Sequence, residues 1–196
     1  VLKGNKIASI EAKVAGEEFK LLKEWSQIIR DNDKSLIDMS DILLRTEQAL
    51  TRSRYSNWIQ GHAPILENNP IVTLLGFSHP LLIWENKKKG APKPVSIDFH
   101  INRTTKVVAI TGPNTGGKTA ALKGFGIALL MVRSGLFIPS IKNPTIPFCP
   151  NIFVDIGDDQ SLEGNLSTFS GHISRIKNIL ESLDKKKGLS VVLLDE

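Results

Sequence analysis

The sequence has a single cysteine, Cys149, in 196 residues, so it can build neither a disulfide framework nor a cysteine-rich zinc site. Aromatics are few, at 6%, with one Tyr and two Met. No apolar run approaches the ~18 residues that would suggest a membrane span. The longest candidates, near Ile127–Val132 and Val191–Leu194, are far too short. There is no internal repeat, no low-complexity segment, and no spacing around the four histidines that suits a metal. Apolar residues at 41% and charged residues at 23% are ordinary for a globular chain and exclude a disordered chain, a coiled-coil rod or a collagen-like fibre. The formal charge of +5 permits an anionic partner but does not require one, because the charges are spread along the chain. One thiol fits a reducing, cytoplasmic compartment. A start at Val1 without a leader, and an apolar run that stops at Glu196, read as a segment of a longer protein.

The first ~60 residues carry helical periodicity. Ile7, Val14, Leu21 and Ile28 recur every seven residues, with Ile10, Leu22 and Trp25 widening the stripe. Asp31-Asn32-Asp33 interrupts it, and a second helix, with Leu36, Met39, Leu43 and Leu50 as its seam, should run from near Ser35 to about Trp58. Two long helices and a short polar turn predict an antiparallel hairpin packed as core or coiled coil. An irregular stretch, 61–70, and a partly β-like stretch, 71–84, follow. Lys87-Lys88-Lys89-Gly90-Ala91-Pro92 reads as a solvated loop tip, or alternatively as a phosphate contact. Val95, Ile97, Phe99 and Ile101 alternate as a strand.

From Lys106 the texture changes. Val107-Val108-Ala109-Ile110 predicts a short buried strand, followed by a Gly-rich turn and a helix from about Thr119 to Arg133. A connector bearing Pro139, Pro144, Pro147 and Pro150 leads to a strand at 152–156, an amphipathic helix from Ser170 to about Lys185, and a buried strand at 189–194. Strands alternating with helices predict α/β architecture with a mostly parallel sheet.

Gly112-Pro113-Asn114-Thr115-Gly116-Gly117-Lys118-Thr119 fits G-x-x-x-x-G-K-[ST] at every fixed position. Glycines let the backbone bend round a phosphate with its N–H groups turned inward, and the following helix N-terminus adds partial positive charge. Lys118 would reach the β- and γ-phosphates of ATP, and the Thr119 hydroxyl would bind Mg2+. Val191-Val192-Leu193-Leu194-Asp195-Glu196, about 75 residues downstream, has the Walker B pattern. Asp195 would hold Mg2+, and Glu196 would be the general base that activates water.

A third element is Asp155-Ile156-Gly157-Asp158-Asp159-Gln160-Ser161, then Leu166-Ser167-Thr168-Phe169-Ser170-Gly171-His172. It reads either as an acidic turn before an N-capped helix, or as a glutamine loop sensing the metal and γ-phosphate before a serine-bearing helix start aimed at a nucleotide. His172 reads as a structural or interface residue.

Thr111–Thr119 with Asn114 inside the loop resembles the MutS family of ABC-type ATPases. Ser134–Pro139, Asp155–Ser161 and Leu166–His172 resemble its MutS-two branch, and His79-Pro80-Leu81 is similar to the motif opening that family's ATPase domain. The resemblance implies a helical core or lever segment over 1–62 and, over 70–196, an ABC-type P-loop NTPase domain truncated after the Walker B strand. It also implies a homodimer in which each ATP is clamped between one subunit's P-loop and the other's Ser167, with Gly171 close by, Gln160 in the glutamine loop, and Asn114 on phosphate or partner. Members resemble clamps on branched or mismatched DNA that control recombination or repair, with a C-terminal nuclease domain; some are linked instead to collided ribosomes. Val95 stands where mismatch-repair relatives place an adenine-stacking aromatic. A small-molecule kinase is the rival reading of the loop, but a substrate lid and acceptor residues are not found. A nucleotide-gated scaffold without turnover is the third reading.

Overall fold

The computed structural model describes residues 2–113, 116–156 and 165–195, with the side chains of 2, 3 and 165–169 left out. The chain divides into two compact units, residues 1–50 and 51–196.

In the first unit, α1 (Leu2–Asp31) and the start of α2 (Asp33–Ile59) are separated by Asn32 alone. The predicted antiparallel hairpin is not formed. A reversal needs a loop of about two to five residues, whereas the Leu36 N–H donates to the Asn32 carbonyl at 3.0 Å, a helical i to i−4 bond at the junction itself. Among the described residues of the unit the apolar stripe has no partner: Ile7, Ile10, Val14 and Ile28 are exposed, and Trp25 is 59% exposed. What holds these helices is local, as in the Lys20–Glu17 ion pair at 2.6 Å and the Gln27–Asp31 hydrogen bond at 2.7 Å.

The second unit holds β1 (Ile65–Glu67), β2 (Val72–Phe77), α3 (Pro80–Lys89), β3 (Ile97–Ile101), α4 (Lys118–Arg133), β4 (Thr145–Pro147), β5 (Asn151–Asp155), α5 (Asn165–Lys185) and β6 (Ser190–Leu194). The mostly parallel sheet expected of a P-loop NTPase is not what forms. One sheet has the order β1-β4-β2-β3, with β2 antiparallel to both β3 and β4 and only β1–β4 parallel. Separately, β5 and β6 make a parallel pair joined through α5.

The reason lies at Val107–Ile110. That run has the side chains of a buried strand but carries no ladder, and Val107 is 83% exposed. β-propensity needs a neighbouring strand and a covering layer to act on, and among the described residues none pairs with it. Two short strands arise instead in stretches read as irregular, because Ile65–Glu67 and Thr145–Pro147 satisfy each other's backbone.

A β-bulge interrupts β2 between Leu74 and Phe77. Gly76 sits there at φ +58°, where a Cβ would lie 2.2 Å from Ile141, and its N–H donates to Asp98 at 2.6 Å. Helix α4 packs on both sheets through its own glycines. A Cβ on Gly124 would come within 2.9 Å of the Phe77 ring, and one on Gly126 within 2.6 Å of Leu193 in β6. Phe125 meets Phe99 at 5.1 Å between centroids. Leu74, Phe77, Leu129, Ile138 and Ile146 are fully buried around this contact.

Residues 80–89, read from sequence as part β-like and part loop, are helix α3. Pro80 opens it, and the His79 Nδ1 caps it by accepting from the Leu81 N–H at 3.2 Å. Gly90 closes it in the left-handed conformation. Burial holds the His79 pKa below its usual value, which keeps Nδ1 an acceptor at neutral pH. His79→Ala should therefore cost about 1 kcal/mol in chemical denaturation; an unchanged midpoint would remove the cap from the account of α3. The lone thiol of Cys149 is buried, and burial raises its pKa, so it has the character of a packed side chain and not of a nucleophile.

Candidate functional site

The glycine-rich loop lies between the exposed 107–110 segment and α4. The Gly116 N–H donates to the Pro113 carbonyl at 2.9 Å, which holds these two loop residues together. Gly112 (φ +149°) and Gly117 (φ +79°) take backbone conformations open to glycine. Gly117 is also the N-cap of α4, where it offers no side chain to the N–H groups of the first turn. An N-terminus without a side-chain cap keeps donors and partial positive charge available to an anion. Lys118 opens the helix and Thr119 follows; both are half-buried. The Lys118 ammonium donates to the Gly112 carbonyl at 2.9 Å, folding back across the loop. A bent glycine turn, a side-chain-free cap and an ammonium over the loop fit a phosphate group. Asn114 and Thr115 lie outside the described residues.

Asp195 follows β6, half-buried. Its N–H donates to the Asp155 carbonyl at 3.0 Å, continuing the β5–β6 ladder by one step. Because Gly126 of α4 faces Leu193 of β6, the helix that begins at Lys118 and the strand that ends before Asp195 are in contact. The Thr119 hydroxyl and Asp195 carboxylate are oxygen donors of the kind that suit Mg2+. Glu196 and Gln160 lie outside the described residues. Ser167 falls in the first turn of α5, which starts at Asn165, five residues earlier than the periodicity suggests; its side chain is outside the description.

The structure adds a cluster not read from the sequence as a site. The Asp155 carboxylate, at the end of β5, is only 4% exposed. It accepts from Arg175 Nε at 2.6 Å and pairs with His172 Nδ1 at 3.0 Å, both on α5. Arg175 Nη2 lies 3.2 Å from the same His172 nitrogen. The hydrogen bond from His172, aided by Arg175 and opposed by burial, holds the Asp155 pKa below the usual carboxylate value. Asp155 thus ties α5 to the β5–β6 pair by its side chain while its backbone carbonyl holds Asp195. One sequence signal pointed this way: His172 and Arg175 are three apart, on one helical face, after a strand ending in an acid.

With this geometry established, comparison with known proteins identifies the class. Residues 108–196 match the family described as MutS domain V. That span runs from the segment before the glycine loop through the Asp155 cluster to Glu196. The chain belongs to the MutS family.

Within the family its similarity runs to the MutS2 branch over almost all of its length. It is 42% identical over 184 residues to the protein named Endonuclease MutS2 of Synechocystis sp., covering 92% of this chain and 22% of that one. It is 38% identical over 192 residues to Endonuclease MutS2 of Halothermothrix orenii, covering 98% of this chain and 23% of the relative. For the protein of that name from Clostridium kluyveri, identity is 37% over the same length. The chain therefore spans under a quarter of the length of these curated relatives. Among the described residues no helix is long and apolar enough to cross a membrane.

Proposed function

We propose that this chain is the ATP-binding and ATP-hydrolysing part of a MutS-type, DNA-associated protein that controls recombination or DNA repair in the cytoplasm, working as a homodimer. The observation that supports this most is the α4 N-terminus, where Gly117 leaves the first turn without a side-chain cap and Lys118 stands over the loop. In this reading the backbone of Gly112, Pro113, Asn114, Thr115, Gly116 and Gly117 surrounds the phosphates. Lys118 exchanges the Gly112 carbonyl for β- and γ-phosphate oxygens. Thr119 and Asp195 hold Mg2+, which offsets the triphosphate charge when bound.

Glu196, next to Asp195, orients and deprotonates the attacking water. Gln160 lies in the loop that faces the γ-phosphate, and Ser167 reaches the nucleotide of the partner subunit. Domain limits of 1–62 for the helical segment and 70–196 for the nucleotide-binding part belong to the same proposal. The client is DNA, branched or mismatched. The nuclease activity in the relatives' name belongs to those longer proteins, and no residue here is assigned to it.

Glu196→Gln tests the hydrolytic part. The variant should still bind ATP and accumulate as an ATP-bound dimer in light scattering, with phosphate release reduced by at least about 100-fold, the scale of general-base catalysis. Turnover at the wild-type rate would remove Glu196 as the base. Loss of ATP binding itself would count against the whole site.

A further inference from the structure

A second feature of unit 51–196 lies apart from the glycine loop. The end of α2 and the start of α3 enclose a groove of about 290 Å³ lined by Tyr55, Trp58, Pro80, Leu81 and Trp84. Tyr55 and Trp58 stack on each other at 6.2 Å between centroids. Trp84 is 42% exposed and Leu81 is open to solvent. Large ring faces left this accessible beside one another are unusual in a chain with only three Trp and one Tyr.

The groove is also basic. Its α3 side carries Lys87, Lys88 and Lys89 in the last turn of the helix, against one acid, Glu85. Lys87 lies 5.1 Å from the Trp58 ring centroid and donates to the Trp58 carbonyl. Lys89 lies 5.2 Å from the Trp84 centroid and 3.8 Å from Glu85. The ammonium groups of Lys87 and Lys89 are therefore held beside the rings.

We propose that this groove binds single-stranded nucleic acid, with a base stacked on Trp84 and the adjoining phosphates on Lys87, Lys88 and Lys89. Ring faces interleaved with ammonium groups are what an unpaired strand needs, since every base has a π-face and every nucleotide a charge. Double-stranded nucleic acid offers its rings to no side chain, because they are stacked inside the duplex. A phosphopeptide site would be expected to present bidentate guanidinium groups, whereas the groove rim at 87–89 is all lysine. The lysine run read from sequence as a loop tip is instead the last turn of α3, with Lys87 and Lys89 beside the rings.

The test is a fluorescence-anisotropy titration of a labelled oligothymidylate against the full chain, run without nucleotide so that its outcome does not depend on the ATP reading. Trp84→Ala should weaken binding about tenfold, the scale of losing one stacked base, while Trp84→Phe should keep most of the affinity. An oligomer of the same length made of abasic sugar-phosphates should bind far more weakly than oligothymidylate. Lys88→Gln combined with Lys89→Gln should reduce the dependence of log affinity on log salt. Equal binding of the abasic strand would overturn the proposal, as would Trp84→Ala within twofold of wild type in a variant whose thermal melt is unchanged. Displacement of the oligomer by phosphatidylserine vesicles at equal anionic charge would reassign the groove to a membrane surface.

Discussion

Lys118→Ala should lower ATP affinity by about three orders of magnitude in a fluorescent-nucleotide titration. One ammonium about 4 Å from one phosphate charge, at an effective dielectric constant of about 20, is worth about 4 kcal/mol. The fold should survive the substitution. The bond lost to the Gly112 carbonyl, at 2.9 Å and a half-exposed site, is worth about 1 kcal/mol. A melt close to wild type with nucleotide binding gone is therefore the expected pair of results. Retained affinity would mean that the turn at Pro113–Gly116 is only a turn. Lys118→Met, which keeps the length of the stem without the charge, should behave like alanine if the ammonium is what matters.

The second large effect concerns Asp155, whose carboxylate anchors α5. Asp155→Asn keeps the shape but removes the charge that His172 and Arg175 share. Hydrogen bonds to a charged group contribute about 1.5–3 kcal/mol. Because the Arg175 side chain is 44% exposed, solvent screening reduces its part. A net loss of about 2 kcal/mol is expected, which for a unit of this size lowers Tm by about 4–8 °C.

The pH dependence has a definite sign. The Asp155 pKa is depressed by folding, so its stabilisation is complete above the ordinary carboxylate value of 3.8 and is lost as pH falls through the lower, folded value. Wild type and Asp155→Asn should differ fully at about pH 6 and converge as the pH falls through the depressed, folded value. A constant difference across that range would show that the carboxylate contributes by shape and not by charge. In the proposed function, the variant should also loosen Asp195, whose N–H is held by the Asp155 carbonyl.

Both experiments address groups that differ in how far the sequence exposes them. Lys118 is legible because a phosphate-binding turn is local: its glycines, its ammonium and the helix start lie within eight consecutive residues. The cluster of Asp155, His172 and Arg175 spans two elements separated by 156–164, and pairing a strand-end acid with a helical face requires knowing that α5 crosses back over β5. The same contrast runs through the fold. Helix α4 lies where its periodicity predicts, since a 3.6-residue repeat is written along the chain itself. Helix α3 was misread because Leu81-Leu82-Ile83-Trp84 has no periodicity that separates a short helix from a strand. Its cap, His79, is not among the side chains that commonly signal one.

The sequence by itself determined the family, the long helices, the glycine turn with Lys118 and Thr119, and a strand ending just before Asp195, because each of these rests on residues close together in the chain. Only the tertiary structure decided which strands pair. Val107–Ile110 has the composition of a buried strand and stays exposed, while Ile65–Glu67 and Thr145–Pro147 find one another across nearly 80 residues. A ladder's hydrogen bonds belong to two segments at once, so neither segment's sequence can state them alone. The same holds for the Lys87 ammonium beside Trp58, which is there only because α3 lies against the end of α2.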